Sequence, residues 1–209
     1  MKVALPDLGV SNLRSARRAV EALGHEVVTT TDPAAIASAR QILLPGVGAF
    51  GEAARRLRET GIGDAIRLAA GQGAGIVGIC LGMQLLFETS EEGEDAPGLG
   101  LLPGRVARLA GDAAVPHVGW NRVRATVRGA GLFEEPADGS DFYFVHSFVV
   151  RPASEDLVYA RCRHGESFPA AAGAGRIVGF QFHPEKSGPA GVQLLGRALA
   201  QVAGRNGEP

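Results

Sequence analysis

The sequence predicts an α/β fold: an open, mostly parallel sheet flanked by helices, with an antiparallel extension. Three observations lead there. The first half alternates short apolar runs with stretches whose apolar residues recur at helical spacing, the pattern of strands covered on both faces by helices. The second half drops that rhythm for strand-like runs separated by turn residues, mostly without helices. The 209 residues, 45% hydrophobic and 21% charged, suffice for a single domain spanning 1–209, with no internal repeat or low-complexity linker to divide it.

Taken in order, KVAL (2–5) reads as the first strand. Leu13 to Leu23 has helical spacing, with Ser11 or Asn12 as its cap. EVVTTT (26–31) is β-branched and strand-like, and Asp32-Pro33 opens a short helix. QILLPG (41–46) is a buried strand ending in a turn, helices follow around 51–59 and 62–71, and GIVGI (75–79) is another buried strand. The acidic, turn-rich stretch Glu91–Pro97 is a loop. Segments 104–109, 118–127, 142–150, 157–164 and 176–182 read as the strands of the antiparallel extension. Val192 to Val202 forms a closing amphipathic helix before a frayed tail at Gly204–Pro209.

Bulk properties exclude several classes. A net charge of -1 gives no electrostatic reason to expect nucleic acid or an anionic membrane as partner. MKVALPDLG is a strand interrupted by Pro6 and Asp7, not a signal peptide, and no run of about 18 apolar residues occurs elsewhere. Cys80 and Cys162 make neither a disulfide framework nor a zinc ligand set, so no metal or cofactor is expected. A reduced, cytoplasmic setting is expected, where Cys80 remains a thiol.

GIVGICLGMQLL (75–86) is the most informative stretch. A buried strand runs into Gly78-Ile79-Cys80-Leu81-Gly82 and a helix signal follows at once, which is the glycine-flanked nucleophile elbow with cysteine in the serine position. Such a turn strains its central residue and brings the positions two residues either side too close for side chains. It exposes the sulfur at the tip of the sheet and sets it at a helix N-terminus, where the dipole favours thiolate. It also aims the Leu81 N–H at a developing oxyanion. By itself the motif fits equally a small core cysteine between packing glycines.

VGFQFHPEKSG (178–188) tips the balance. His183 and Glu185 follow a strand, and in an extended segment residues two apart share a side. Pro184 between them discourages helix. Glu185 can then accept from one imidazole nitrogen and leave the other facing the thiol, the nucleophile, base and orienter of covalent catalysis. Strand ends at the carboxyl edge of an open α/β sheet are where such sites lie. Of the other histidines, His25 and His164 adjoin glycines and read as surface, whereas His117 and His146 read as core or rim.

Cys80 within GICLGMQ, with His183-Pro184-Glu185 further on, resembles the class I glutamine amidotransferases. LPGVGAF (44–50), GICLGMQLLFETSEEG (78–93), PHVGWN (116–121), YFVHSF (143–148) and QFHPEKSG (181–188) are together similar to the HisH subfamily, the glutaminase subunits of imidazole glycerol phosphate synthase. The resemblance spans essentially the whole chain. It implies a Cys80–His183–Glu185 triad that frees ammonia from glutamine. The second oxyanion donor would come from Val47 or Gly48, Gln84 would contact substrate, and Glu92 would bind its ammonium, with Glu88 and Glu91 as competitors. Ser147 and Phe148 would offer main-chain groups. The implied partner is a HisF-type cyclase, a (β/α)8 barrel in a heterodimer, docked on Asn12, Trp120, Tyr143 and Lys186. There the ammonia would help convert the ribotide PRFAR to imidazole glycerol phosphate and AICAR. The family's Asp-Tyr-Gly-x-Gly-Asn-Leu opening is here Asp7-Leu8-Gly9-Val10-Ser11-Asn12-Leu13, a departure that bears on docking rather than chemistry. Rival readings rank lower: amidotransferase subunits for anthranilate or pyridoxal phosphate synthesis typically lack PHVGWN, the HPE placement and Gln84 argue against a cysteine peptidase or DJ-1-like protein, and the intact triad argues against a degenerate binding module.

Overall fold

The computed structural model describes residues 1–9, 13–93, 96–135 and 137–204. The first half follows the expected alternation: β1 (Lys2–Pro6), α1 (Leu13–Ala22), β2 (Glu26–Thr30), α2 (Pro33–Ala37), β3 (Gln41–Gly46), α3 (Phe50–Glu59), α4 (Ile62–Gly71), β4 (Gly75–Cys80) and α5 (Leu81–Leu85). Asp32 caps α2 by accepting from the Ala34 N–H at 2.9 Å, and Pro33 occupies the first turn, where its missing N–H costs nothing. The proposed α1 caps, Ser11 and Asn12, lie outside the described residues.

The second half contains β5 (Thr89–Ser90), β6 (Ala96–Pro97), β7 (Gly104–Arg108), β8 (His117–Arg122), β9 (Arg124–Ala125), β10 (Asp141–His146), β11 (Phe148–Pro152), β12 (Val158–His164), β13 (Glu166–Ala174), β14 (Ile177–Phe180) and α6 (Gly188–Ala203). Eight strands form the main sheet, in the order β2-β1-β3-β4-β14-β13-β12-β9. The pairings are parallel from β2 through β14 and antiparallel from β13 outward. Two smaller sheets, β10-β8 and β11-β7-β5-β6, stand apart from it.

Three expectations need correction. Segment 176–182 belongs to the parallel core, not the extension, because β14 runs beside β4 with Val178 opposite Val77. Segments 118–127 and 142–150 each divide in two, at Val123 and Ser147, and feed different sheets. The strand between β12 and β14, ESFPAAAGA, was not foreseen. It is buried along most of its length, so it carries no polar alternation, and its alanines and Pro169 have little strand propensity. The β12–β13 register shifts between Val158 and Arg161, beside the Arg161–Pro169 pairing.

β1, β3 and β4 each supply two cores. Val3, Leu5, Leu43, Val77 and Ile79 pack with α1 and α6, while Ala4, Ile42, Leu44 and Ile76 pack with α2, α3 and α4. Successive side chains on a strand point to opposite faces, so a short apolar run serves both layers. That layering ends β3, β4 and β14 side by side at one edge of the sheet, with Gly46 opposite Cys80. No described helix is long and apolar enough to cross a membrane.

Candidate active site

The elbow forms as the glycines require. Cys80 closes β4 at φ 54°, ψ −110°, the one non-glycine residue with positive φ among those described, and α5 starts at Leu81. A Cβ on Gly82 would lie 1.7 Å from the Leu44 carbonyl oxygen, and one on Gly78 would lie 2.8 Å from the Gly82 carbonyl. Gly46, opposite Cys80 in the β3–β4 register, sits under Leu81, whose Cβ would be 2.9 Å from an added methyl. Glycines on three sides thus allow α5 to seat against the strand ends and raise the cysteine to the edge. Cys162, in contrast, is buried on β12, and burial above all pushes its thiol up to about 12.

His183 leaves β14 three residues beyond its end. The Nδ1–H donates to Glu185 Oε1 at 2.8 Å, since a carboxylate can only accept. The expected extended path between them is replaced by a 3-10 turn, Pro184–Lys186. Pro184 fits the first position of a helix, so the proline that discourages helix interiors starts one here. The His–Glu contact survives because one tight turn also brings Glu185 back to the ring. Both side chains are buried, and neither Glu185 Oε2 nor His183 Nε2 has a hydrogen-bond partner among the described residues. Burial alone would lower the imidazole's pKa, but interactions with Cys80 and then Glu185 outweigh it and raise it to about 9.

The imidazole is therefore charged in the folded chain to about pH 9, against 6.5 for an ordinary histidine. Its protonation favours the folded state fully below pH 6.5, and that contribution is lost as pH rises through 9. In Cys80→Ala, which removes the sulfur's contribution while burial persists, ¹⁵N resonances of His183 are expected to titrate well below 9. An unchanged titration would show that the ring does not sense the thiol.

A cleft of about 270 Å³ opens beside the sulfur. Its walls bring together Val47, Gly48, Cys80, Leu81, Gln84, Glu92, Ser147 and Phe148, residues drawn from four separate segments of the chain. Pro116, Val145 and His146 complete the lining. The three acidic candidates are separated: only Glu92 reaches the cleft, and its Oε2 accepts from the Phe50 N–H at 2.9 Å, tying the acidic loop to the end of the glycine loop. Glu91 pairs with Arg105 and the Arg108 N–H, and Glu88 accepts from the Gly104 N–H at 2.7 Å. Gln84 donates to the Phe148 carbonyl at 3.0 Å and to Gln181 Oε1 at 3.2 Å.

Trp120, Tyr143 and Lys186, three of the four residues singled out for docking, lie on the exterior. Trp120 is 58% exposed and meets the partly exposed Tyr143 edge-on, with ring centroids 6.2 Å apart. Val118 and Val145, paired two residues further along the same two strands, are also exposed, and Lys186 is exposed on the turn beyond His183. An uncovered tryptophan with neighbouring apolar residues is the composition of a protein-binding face. Asn12 lies outside the described residues.

Two groups escaped the sequence reading. Gln181, fully buried, donates to Cys80 Sγ at 3.8 Å and accepts from Gln84, linking the two residues. Its signal was a lone amide in the apolar run VGFQF. Ser187 donates to the His183 carbonyl at 2.6 Å and accepts from the Tyr143 N–H at 3.0 Å, while the His183 N–H donates to the Tyr143 carbonyl at 2.9 Å. No sequence pattern announces that ring of bonds. His164, read as surface, is half-buried and stacks on His117 at 4.0 Å.

Residues 4–202 match the family model for glutamine amidotransferase class-I. Imidazole glycerol phosphate synthase subunit HisH of Methanopyrus kandleri is 48% identical over 201 residues, covering 95% of this chain and 98% of that protein. Its namesake from Moorella thermoacetica is 46% identical over 193 residues, covering 92% and 91%. Among solved structures, a glutamine amidotransferase superposes with a TM-score of 0.74 at 23% identity, covering 96% of this chain and 98% of the other. PurLQS from Thermotoga maritima gives 0.71 at 23% identity, covering 95% and 97%. At such identity these two speak for the fold alone.

Proposed function

Because the chain belongs to the class-I glutamine amidotransferase family, and within it to the HisH subunits of imidazole glycerol phosphate synthase, we propose a residue-by-residue course for its glutaminase reaction. The observation that carries it is one cleft holding Cys80 on its strained elbow, with the charged His183 buried against it and Glu185 fixing the imidazole.

The Cys80 thiolate adds to the side-chain amide carbon of glutamine, and the carbonyl oxygen takes the negative charge. The Leu81 N–H and an N–H from the Val47–Gly48 loop stabilise that oxyanion, a contribution of about 3–4 kcal/mol per donor in comparable sites. His183, charged at neutral pH, gives its Nε2 proton to the departing nitrogen, and ammonia leaves as the thioester forms. The neutral imidazole then takes a proton from water as that water attacks the thioester. Collapse releases glutamate and restores thiolate and imidazolium. Glu92 faces the substrate's ammonium, and Gln84, Ser147 and Phe148 hold the rest of it. The reducing cytoplasm suits a free nucleophilic thiol.

The ammonia passes to a HisF-type cyclase, a (β/α)8 barrel docked on the Trp120, Tyr143 and Lys186 face. That barrel uses it to convert PRFAR to imidazole glycerol phosphate and AICAR. An exposed tryptophan within a few residues of the buried triad support favours this face over the far side of the sheet. The test is glutamate release by the purified chain, alone and with such a cyclase and its ribotide. Slow release alone and a large rise in the liganded complex is expected. Equal rates in both mixtures would remove the partner reading, and no release in either would remove the assignment of the triad.

A further inference from the structure

The search outside the triad converges on a buried run of imidazoles whose polarity can be read from its end. His146 Nδ1 lies 3.0 Å from the Phe148 carbonyl oxygen, which can only accept, so the proton is on Nδ1 and Nε2 is an acceptor. His117 Nδ1, 3.0 Å from that Nε2, must then be the donor, and its own Nε2 accepts from Asn121 Nδ2 at 3.2 Å. Asn121 is oriented in turn by donating to the Arg163 carbonyl at 2.9 Å. Every proton in the run therefore points inward, from the β8 edge to Phe148. Both rings are buried, and desolvation above all holds them well below the ordinary histidine value, with His164 adding to it at His117 and His117, then His164 and His183, adding to it at His146.

The carbonyl at the inner end also accepts from Gln84, so both its lone pairs are engaged. Ladder geometry says what remains. The Leu109 N–H donates to the Ser147 carbonyl at 2.9 Å, which makes Phe148–Arg108 the next, non-hydrogen-bonded pair of β11 and β7. Phe148 thus turns its N–H as well as its C=O away from β7, toward the cleft. With the carbonyl occupied, this edge offers the substrate a donor and no acceptor.

We propose that His146, its tautomer set through His117 and Asn121, is a positioning residue that makes the Phe148 edge selective for the substrate's carboxylate over its ammonium. The inference rests on the glutaminase reading and deepens it. Without His146 the carbonyl regains an open lone pair beside the N–H, and the edge loses its preference for an anion.

The test compares two substitutions in the complete complex. In His146→Asn the side-chain amide can still donate from the Nδ1 position; in His146→Gln it sits at the Nε2 position and cannot. The discrimination measured is kcat/KM for glutamine over 4-aminobutanamide, which lacks the carboxylate. His146→Gln is expected to lose about tenfold in that ratio, one misplaced hydrogen bond, through KM rather than kcat, with His146→Asn largely restoring it. Equal losses for both substrates, or identical ratios in the two variants, would overturn the proposal. Should either variant fail to fold, ¹⁵N NMR of the unaltered chain decides: a proton on His146 Nε2 at neutral pH would overturn it, and one on Nδ1 is expected. Inactivity of the unaltered complex toward glutamine would instead strike the glutaminase reading, which the NMR result does not depend on.

Discussion

Cys80→Ala is expected to abolish glutamate release, a loss of about four to six orders of magnitude, the scale seen when a covalent nucleophile is removed from a working triad. The size follows from how the parts depend on one another. Without sulfur there is no thioester, so the proton transfers of His183 have nothing to act upon and Glu185 orients an idle ring. The residual rate comes only from a water attacking glutamine held in the cleft. The substitution keeps the Cβ and empties little space, so the fold is expected to persist, and the melting temperature distinguishes chemistry from collapse. Cys162→Ala is the control: that thiol is buried on β12 and is held at about 12 chiefly by burial, so activity is expected to stay within about twofold. Turnover that survives Cys80→Ala in a folded chain would refute the nucleophile assignment.

The second large effect concerns stability. In Gly82→Ala the new methyl would sit 1.7 Å from the Leu44 oxygen and 2.7 Å from its carbon. Both atoms belong to the backbone of β3, paired to β4 and buried, so no rotamer change relieves the clash. Either α5 lifts from the strand ends or β3 shifts. We expect destabilisation of about 3–5 kcal/mol, which is a large part of the about 5–15 kcal/mol that a domain has. Urea unfolding measures it. Gly71→Ala, at an exposed helix end with open space around its Cβ, is the comparison and is expected to be neutral or slightly stabilising, by roughly 0.5 kcal/mol. A Gly82→Ala midpoint near that of the unaltered chain would mean that α5 is not seated on Leu44 at all.

Where the chain repeats a local rule, its fold was legible. Apolar runs bounded by caps and turns placed β1 to β4 and their helices within a residue or two, because strands serving two cores leave a plain pattern. β13 was not legible: a strand buried by its neighbours can be built of alanine and glycine, since packing and ladder bonds supply what propensity does not. The two-residue strands β5, β6 and β9 exist only through their partners. The site divides the same way. Cys80, His183 and Glu185 stand in motifs whose spacing carries a reason, whereas Gln181, Ser187 and the His117–His146 pair depend on contacts between distant segments. Even the His–Glu contact was reached by the wrong path, an extended strand in place of a 3-10 turn.

The positive φ of Cys80 sets the chain's chemistry against its own thermodynamics. A backbone held there suits glycine, and keeping a side chain costs about 1–3 kcal/mol. Only glycine at this position would relax the elbow, whereas any other replacement would keep the strain and lose the sulfur. The strain is therefore a cost that the fold carries in order to hold a sulfur at the tip of the sheet.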